Sequence, residues 1–157
     1  MTSTSPAQSY EIHDELTRFD LDRVHHWLST DAYWALGRSR ETVALAARNS
    51  VNLGAFTDSG EQVAYARIVT DHATFAWVCD VYVDAAHRGR GLGGRLAEAV
   101  VAVVRPLELT RVMLATLDAH EVYARVGFTP VPDPERLMVI QRSRPVQQED
   151  ARPPVPS

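Results

Sequence analysis

Val81-Tyr82-Val83-Asp84-Ala85-Ala86-His87-Arg88-Gly89-Arg90-Gly91-Leu92-Gly93-Gly94 is the stretch on which the reading of this chain turns. Its order predicts a strand that runs into a glycine-dense turn and then opens a helix. Glycines let backbone N–H groups converge on a ligand with no side chain in the way. The helix start adds unpaired donors and the positive end of its dipole, a combination that holds a pyrophosphate. Arg88 and Arg90 add charge, and a guanidinium suits phosphate geometry. The segment from Arg88 through Gly89, Arg90, Gly91, Leu92 and Gly93 to Gly94 is therefore a candidate cradle for a phosphorylated cofactor.

Other readings of the same glycines are open. Gly89-x-Gly91-x-x-Gly94 fits the dinucleotide fingerprint G-x-G-x-x-G literally. That fingerprint follows its strand almost at once, near the start of a longer alternating β/α sheet. Here five residues separate Val83 from Gly89, two antiparallel-looking strands come before it, and few parallel units follow. A plain surface turn is the second alternative, but it needs fewer glycines than these. A P-loop is excluded because no Gly-Lys-Ser/Thr follows.

Working outward, 10–13 reads as a short strand. Asp20 is placed to cap a helix that carries Leu21, Val24, Trp27 and Leu28 on one face. A loop over 29–38 contains Tyr33 and Trp34, and Ser39 caps a second helix with Val43, Ala44, Ala46 and Ala47 inside it. Strands follow at 52–57 and 63–69 around the turn Asp58-Ser59-Gly60, then a break at Thr70-Asp71-His72 and a long strand at 74–83. A helix over about 93–104 stops at Pro106, and 112–116 is a strand. Asp118 and Glu121 have the spacing of a capping box for a short helix through Arg125, which Gly127 ends. Phe128 onward and 137–141 supply the last strands. The order β-α-α-β-β-β-α-β-α-β-β predicts an α/β (α+β) domain with a mixed sheet of about seven strands and about four helices.

The chain has 157 residues, 45% of them hydrophobic and 23% charged, which predicts one globular domain with a sizeable core. Its formal charge of −4, with no block of like charges, argues against nucleic acid as a partner. The polar segment 1–9 lacks the apolar centre of a signal peptide, and no apolar run is long enough to span a bilayer. The single cysteine, Cys79, allows no intrachain disulfide, so a cytoplasmic location is expected. Residues 1–9 and the proline-rich 143–157 read as flexible tails around a domain at 10–142.

Arg88-x-x-Gly91-x-Gly93, with Val83 five residues before Arg88, resembles the acetyl-CoA signature Q/R-x-x-G-x-G/A of the GNAT superfamily of N-acetyltransferases. The element order over about 10–142 is similar as well. The resemblance implies a splay between the fourth and fifth strands, loop amides on the cofactor pyrophosphate, and backbone groups of Val81 and Val83 on its pantetheine arm. Tyr123-Ala124-Arg125-Val126-Gly127-Phe128 resembles the family's second signature, Y-x-x-x-G-F. There the tyrosine protonates the departing CoA thiolate, a nearly balanced transfer between a phenol of pKa ~10 and a thiol of ~8.5 or above. Relatives often carry an asparagine about seven residues before that tyrosine. Here the position is Thr116, and Thr116, Asp118 and His120 are the alternatives for contacting CoA.

The implied acceptor is a primary amine of a small molecule or peptide, reached by direct transfer in a ternary complex without a metal. An amine attacks only when neutral, at a cost of about 4.6 kcal/mol at pH 7 for a lysine-like group. Asp80, at an acidic position in relatives that resemble the spermidine acetyltransferases, is a candidate base. Its other reading is a structural carboxylate with a partner, since an unpaired buried acid is costly. Asp71 and His72 are further candidates, or simply a solvated turn. His25 and His26 point to different helix faces and make poor metal partners, and Cys79 lacks a matched His/Asn set for nucleophilic work. Tyr33, Trp34, Phe75, Trp77 and Tyr82 could wall the acceptor site, with Tyr33 and Trp34 favoured because the loop between the first two helices borders that site in this family; such walls suit a cation or a ring. A non-catalytic acyl-CoA sensor or interaction module on the same fold is the rival reading, and relatives are often homodimers.

Overall fold

The computed structural model describes residues 7–142. The tails expected at 1–9 and 143–157 lie outside the described residues except for 7–9, where the Ser9 hydroxyl donates to Asp58 Oδ1 at 2.5 Å. The elements are β1 (Tyr10–His13), α1 (Leu21–Thr30), α2 (Arg40–Arg48), β2 (Val51–Thr57), β3 (Gln62–Thr70), β4 (Phe75–Val83), α3 (Leu92–Val104), β5 (Arg111–Leu114) and α4 (His120–Ala124). The sheet order is β1-β2-β3-β4-β5, antiparallel except for the parallel pair β4–β5.

Helix starts form where the local chemistry places them. Asp20 accepts the Arg23 amide at 3.0 Å and Ser39 accepts the Thr42 amide at 3.1 Å, each satisfying an orphan donor of a first turn. One expected cap is different. Asp118 and Glu121 form no capping box; Ala119 occupies the N-cap of α4, and its amide donates to the Thr116 hydroxyl at 3.1 Å. Gly127, at φ +108°, does close α4, with Gly127 N–H donating to Ala124 O and Phe128 N–H to Tyr123 O, both at 3.1 Å.

The sheet has five strands among the described residues, not the expected seven. Neither 128 onward nor 137–141 joins it. Pro130, Pro132 and Pro134 recur at alternate positions, so the donors that would face one neighbouring strand are missing together.

Each face of the sheet carries its own core. Leu92, Leu96, Val100 and Val104 of α3 pack on Leu53, Ala64, Ala66, Ile68, Ala76 and Val78. Val24, Trp27 and Leu28 of α1 and Val43 of α2 pack on Tyr65 and Tyr82 on the other face. Two buried polar groups lock α2 to this second face. The Tyr65 hydroxyl donates to Asn52 Oδ1, and Asn52 Nδ2 donates to the Ala47 carbonyl at the end of α2 at 2.8 Å. Burial pushes the Tyr65 phenol far above its ordinary range. Replacing Asn52 with Ala strands both groups in the interior, so urea denaturation is expected to show a loss of about 2–3 kcal/mol, while Asn52→Asp, which keeps the acceptor for Tyr65, retains part of it.

Candidate functional site

The site starts where β4 and β5 separate. Their pairing runs from Phe75↔Arg111 to Val78↔Leu114 and stops there. β4 continues through Cys79, Asp80, Val81, Tyr82 and Val83, while the chain after Leu114 leaves the sheet toward α4. The backbone of Cys79 to Val83 thus has no β5 residue beside it, which is the splay that the resemblance implied.

A β-bulge shapes β4 at the same level. Tyr65 pairs with Tyr82 and Arg67 with Cys79, so Ala66 alone stands against Asp80 and Val81. Asp80 takes φ +53°, a left-handed backbone rare for a side-chain-bearing residue. The extra residue inverts the alternation. Val78 packs in the α3 core, Val81 and Val83 pack against that same core, and Tyr82 enters the α1–α2 core.

Asp80 is 4% exposed and fully engaged. Trp34 Nε1 donates to Oδ1 at 2.9 Å; Arg38 Nη1 and Arg67 Nε donate to Oδ2 at 2.8 and 2.9 Å. Burial alone would raise its pKa, but the Arg38 and Arg67 charges and these hydrogen bonds outweigh that and hold the carboxyl below the ordinary 3.8. Of the two readings of Asp80, this geometry matches the structural carboxylate with its partners. Arg38 and Arg67 went unnoticed in the sequence, although an arginine inside the apolar strand Val63 to Val69 was a signal that an acid lay nearby. Cys79, pushed up to about 11 chiefly by burial, holds its proton at neutral pH and is a poor nucleophile.

The turn at Arg88 to Gly94 forms an open cradle. Gly89 and Gly91 have φ of +76° and +78°, and Gly91 caps α3 without a side chain. A Cβ added at Gly89, Gly91, Gly93 or Gly94 would meet nothing within 4 Å, so the space beside the loop is free. None of the N–H groups from Gly89 to Gly94 donates to another group among the described residues. Unpaired amides beside open space at a helix start suit an anion such as a pyrophosphate. Leu92 contributes only its backbone, because its side chain is buried in the α3 core.

The two arginines are bonded to neighbouring elements. Arg88 Nε donates to the Val83 carbonyl at 3.0 Å and Nη2 to Asp31 Oδ2 at 3.1 Å, with the guanidinium 5.3 Å from the centre of the Tyr82 ring. The Tyr82 hydroxyl and Arg88 together lower the Asp31 pKa, and burial and Asp31 push Tyr82 up to about 12. Arg90 Nη1 donates to the Tyr10 hydroxyl at 3.0 Å, which also bonds His87 Nδ1 at 2.9 Å. Both arginines fix the loop against β1 and α1; Asp31 and Tyr10 are partners that local sequence gave no reason to pick.

Tyr123 is half-buried on α4, its ring edge-on to Phe128 at 5.8 Å. Burial, then Asp118 and Tyr33, raise its pKa, so the phenol keeps its proton at neutral pH. Asp118 and His120 are both exposed beside it in sequence. Tyr33, 49% exposed, meets Trp34 edge-on at 5.0 Å, and Trp77 is 36% exposed on β4. Asp71 is tied up in its own turn, accepting from the amides of Ala73, Thr74 and Phe75 and from the Thr74 hydroxyl, which hold its carboxyl well below the ordinary range. No group of three or more His, Cys, Asp or Glu able to hold a metal occurs among the described residues, and no helix there is long and apolar enough to cross a membrane.

A family model described as the acetyltransferase (GNAT) family matches residues 21–128. The chain belongs to the GNAT family. A GNAT-family protein from Xanthomonas campestris pv. campestris, described as an acetyltransferase, has 40% sequence identity and a TM-score of 0.80, over 85% of this chain and 94% of that one. A Gibberella zeae protein that carries an acetyltransferase name is 24% identical over 135 residues, 74% of this chain and 76% of its own length. The fold alone is shared with N-acetylglutamate synthase from Neisseria gonorrhoeae, solved with coenzyme A and N-acetylglutamate, at TM-score 0.64 and 18% identity over 81% of this chain and 30% of that one.

In this GNAT domain the Asp80 cluster has a clear thermodynamic signature. Asp80→Asn leaves two half-buried guanidiniums without a counter-charge, a loss of about 3–5 kcal/mol that lowers the melting temperature at pH 7 by roughly 10 °C. A carboxyl with a depressed pKa stabilises fully above its unfolded value and ceases to do so as pH falls through the folded one. The gap between parent and variant in thermal melts is therefore expected to shrink below the ordinary carboxylate pKa of 3.8.

Proposed function

We propose that this protein is an N-acetyltransferase that moves an acetyl group from acetyl-CoA to a primary amine of a small molecule or peptide. The observation that carries the reading is the cradle: successive unpaired amides at Gly89 to Gly94 around a space that no side chain fills, at the end of β4 where β5 has turned away. Acetyl-CoA, when bound, supplies an acyl carbon made electrophilic by its thioester.

The chain's own groups have distinct tasks in this reading. The loop amides and the α3 dipole hold the diphosphate. The backbone at Val81 lies in the splay and aligns the pantetheine arm; the Val83 carbonyl already accepts from Arg88, so Val83 serves the arm through its position in the strand. Of the residues after β5, Thr116 accepts the Ala119 amide before α4, leaving Asp118 and His120 as the exposed side chains for the arm. Tyr123 delivers the proton to sulfur, a role that suits a phenol whose raised pKa keeps it protonated.

Tyr33 and Trp77 present aromatic faces to the acceptor, and such faces favour a cation or a ring. Trp34 acts through its bond to Asp80. Asp80 is read as an anchor more than as a base: both oxygens are engaged, and a carboxylate stabilised as an anion is a weak proton acceptor. Proton removal from the amine then passes to solvent, and kcat/KM is expected to rise with pH toward the acceptor's own pKa.

Release of free CoA thiol on incubation with acetyl-CoA and a panel of amines tests the reading directly. Thiol release that needs one of the amines supports it, and tight CoA binding with no turnover on any amine selects the sensor module instead. Gly91→Val places a side chain beside the loop amides in left-handed backbone that costs a β-branched residue about 1–2 kcal/mol, so the loop is expected to shift and calorimetric titration to show a loss of CoA affinity of about 5- to 30-fold. Tyr123→Phe is expected to lower kcat about 100-fold or more while CoA affinity stays within about twofold; unchanged turnover would remove the tyrosine from the chemistry.

A further inference from the structure

Arg38, from the loop between α1 and α2, and Arg67, from β3, share a single acid. Both donate to Asp80 Oδ2, Arg38 through Nη1 at 2.8 Å and Arg67 through Nε at 2.9 Å, while Arg67 Nη1 donates to the Ser50 hydroxyl at 3.1 Å. Two guanidiniums against one carboxylate leave one positive charge in excess. Tyr65 and Cys79 beside them do not cancel it, because burial keeps both in their neutral, protonated forms. The excess is also within reach of a ligand. The Asp80 side chain is 3% exposed, but those of Arg38 and Arg67 are 22% and 15% exposed. Nε and Nη2 of Arg38 and Nη2 of Arg67 donate to nothing among the described residues. No buried side-chain nitrogen there lacks a partner, so these three groups are open to solvent.

The sheet places this cation pair beside the splay. Arg67 pairs across the strands with Cys79, and Val69 with Trp77. Cross-strand partners share a face, as do residues two apart in one strand. Arg67, Val69, Phe75, Trp77 and Cys79 therefore line one face, the one on which Arg67 and Asp80 meet the α1–α2 loop. Beyond the loop this face is bare and apolar, with Val69, Phe75 and Trp77 exposed. Cys79 is the first residue of β4 past Val78↔Leu114, the last pair with β5. The loop that carries Arg38 also comes near the tyrosine of α4, since Tyr33 is among the groups that raise the Tyr123 pKa.

Free guanidinium donors select an anion, and their planar fork matches a carboxylate. The charge narrows the choice. A monoanion balances one excess positive charge, whereas a phosphoryl group at about −1.5 to −2 overshoots it. The apolar side chains next to Arg67 take a ring or an aliphatic group.

We propose that Arg38 and Arg67 form a carboxylate subsite, and that the acceptor is an amino acid-like amine with its carboxylate on these arginines and its apolar side group against Val69 and Trp77. The subsite follows from the arginines themselves; its service to an acceptor rests on the acetyltransferase reading.

Titration of the protein with 3-phenylpropanoate and with its neutral counterpart 3-phenylpropanamide, coenzyme A present and followed by NMR, tests the subsite. The acid is expected to bind at least about tenfold more tightly and to shift the Nε–H signal of Arg38. Arg38→Gln is expected to bring the ratio of the two affinities close to one, and Arg38→Lys to keep part of it. A purely structural arginine weakens both ligands alike, so a ratio unchanged in Arg38→Gln overturns the proposal. Equal binding of acid and amide by the parent, or no binding of the acid, overturns it as well, and decides alone should the variant fail to fold. In the thiol-release assay, phenylalanine and leucine are expected to exceed phenethylamine and isoamylamine in kcat/KM by about tenfold or more, and preference for the amines without a carboxylate overturns the substrate assignment. Thiol release with no amine, while the preference for the acid persists, removes the acetyltransferase reading and leaves the carboxylate subsite standing.

Discussion

The fold around the site depends on one buried charge. Asp80 sits in a strand, in a backbone conformation that costs energy, with its carboxylate away from water. Each feature would be unfavourable alone. Arg67 from the neighbouring strand, together with Arg38 and Trp34 from the loop between α1 and α2, compensates for all of them at once. The loop is tied to the sheet at the level where β4 bulges, and the bulge turns Val81 toward the α3 core and Tyr82 toward α1. A single ion cluster thus ties Trp34, and with it the Tyr33–Trp34 ring pair, to β4 at the level of the bulge. Removal of one partner is more damaging than its share of surface suggests, because the remaining charges stay buried.

The cradle follows a different principle. It gains its character from what is missing: no Cβ at Gly89, Gly91, Gly93 or Gly94 intrudes, and the amides have no acceptor among the described residues. Unpaired donors are tolerated there because they are open to water. Arg88 and Arg90, the obvious phosphate ligands by charge, brace the loop against Val83, Asp31 and Tyr10. What the loop itself offers to solvent is therefore mainly backbone.

The C-terminal part behaves least like its sequence pattern. Residues 137–140 are consecutively apolar and include strand-forming side chains, yet 137–141 join no strand pair among the described residues. Strand propensity reports fitness for a pleated, covered surface and does not say where that surface is. The prolines that precede the run remove the local route to one.

The features legible in the chain were local: the helix caps at Asp20 and Ser39, the glycine turn into α3, the Y-x-x-x-G-F turn closed by Gly127, and the order of elements from 10 to 127. These are fixed by contacts between residues a few positions apart, so composition and spacing carry them. Only the folded chain shows the partners of Asp80, the bracing roles of Arg88 and Arg90, the Thr116 bond to the Ala119 amide, the bulge and the strand count. Apart from the Thr116 bond, each of these depends on groups from separate elements brought to about 3 Å, or on an edge left bare. No period or motif encodes such distances; they exist only once two faces of the sheet have been packed.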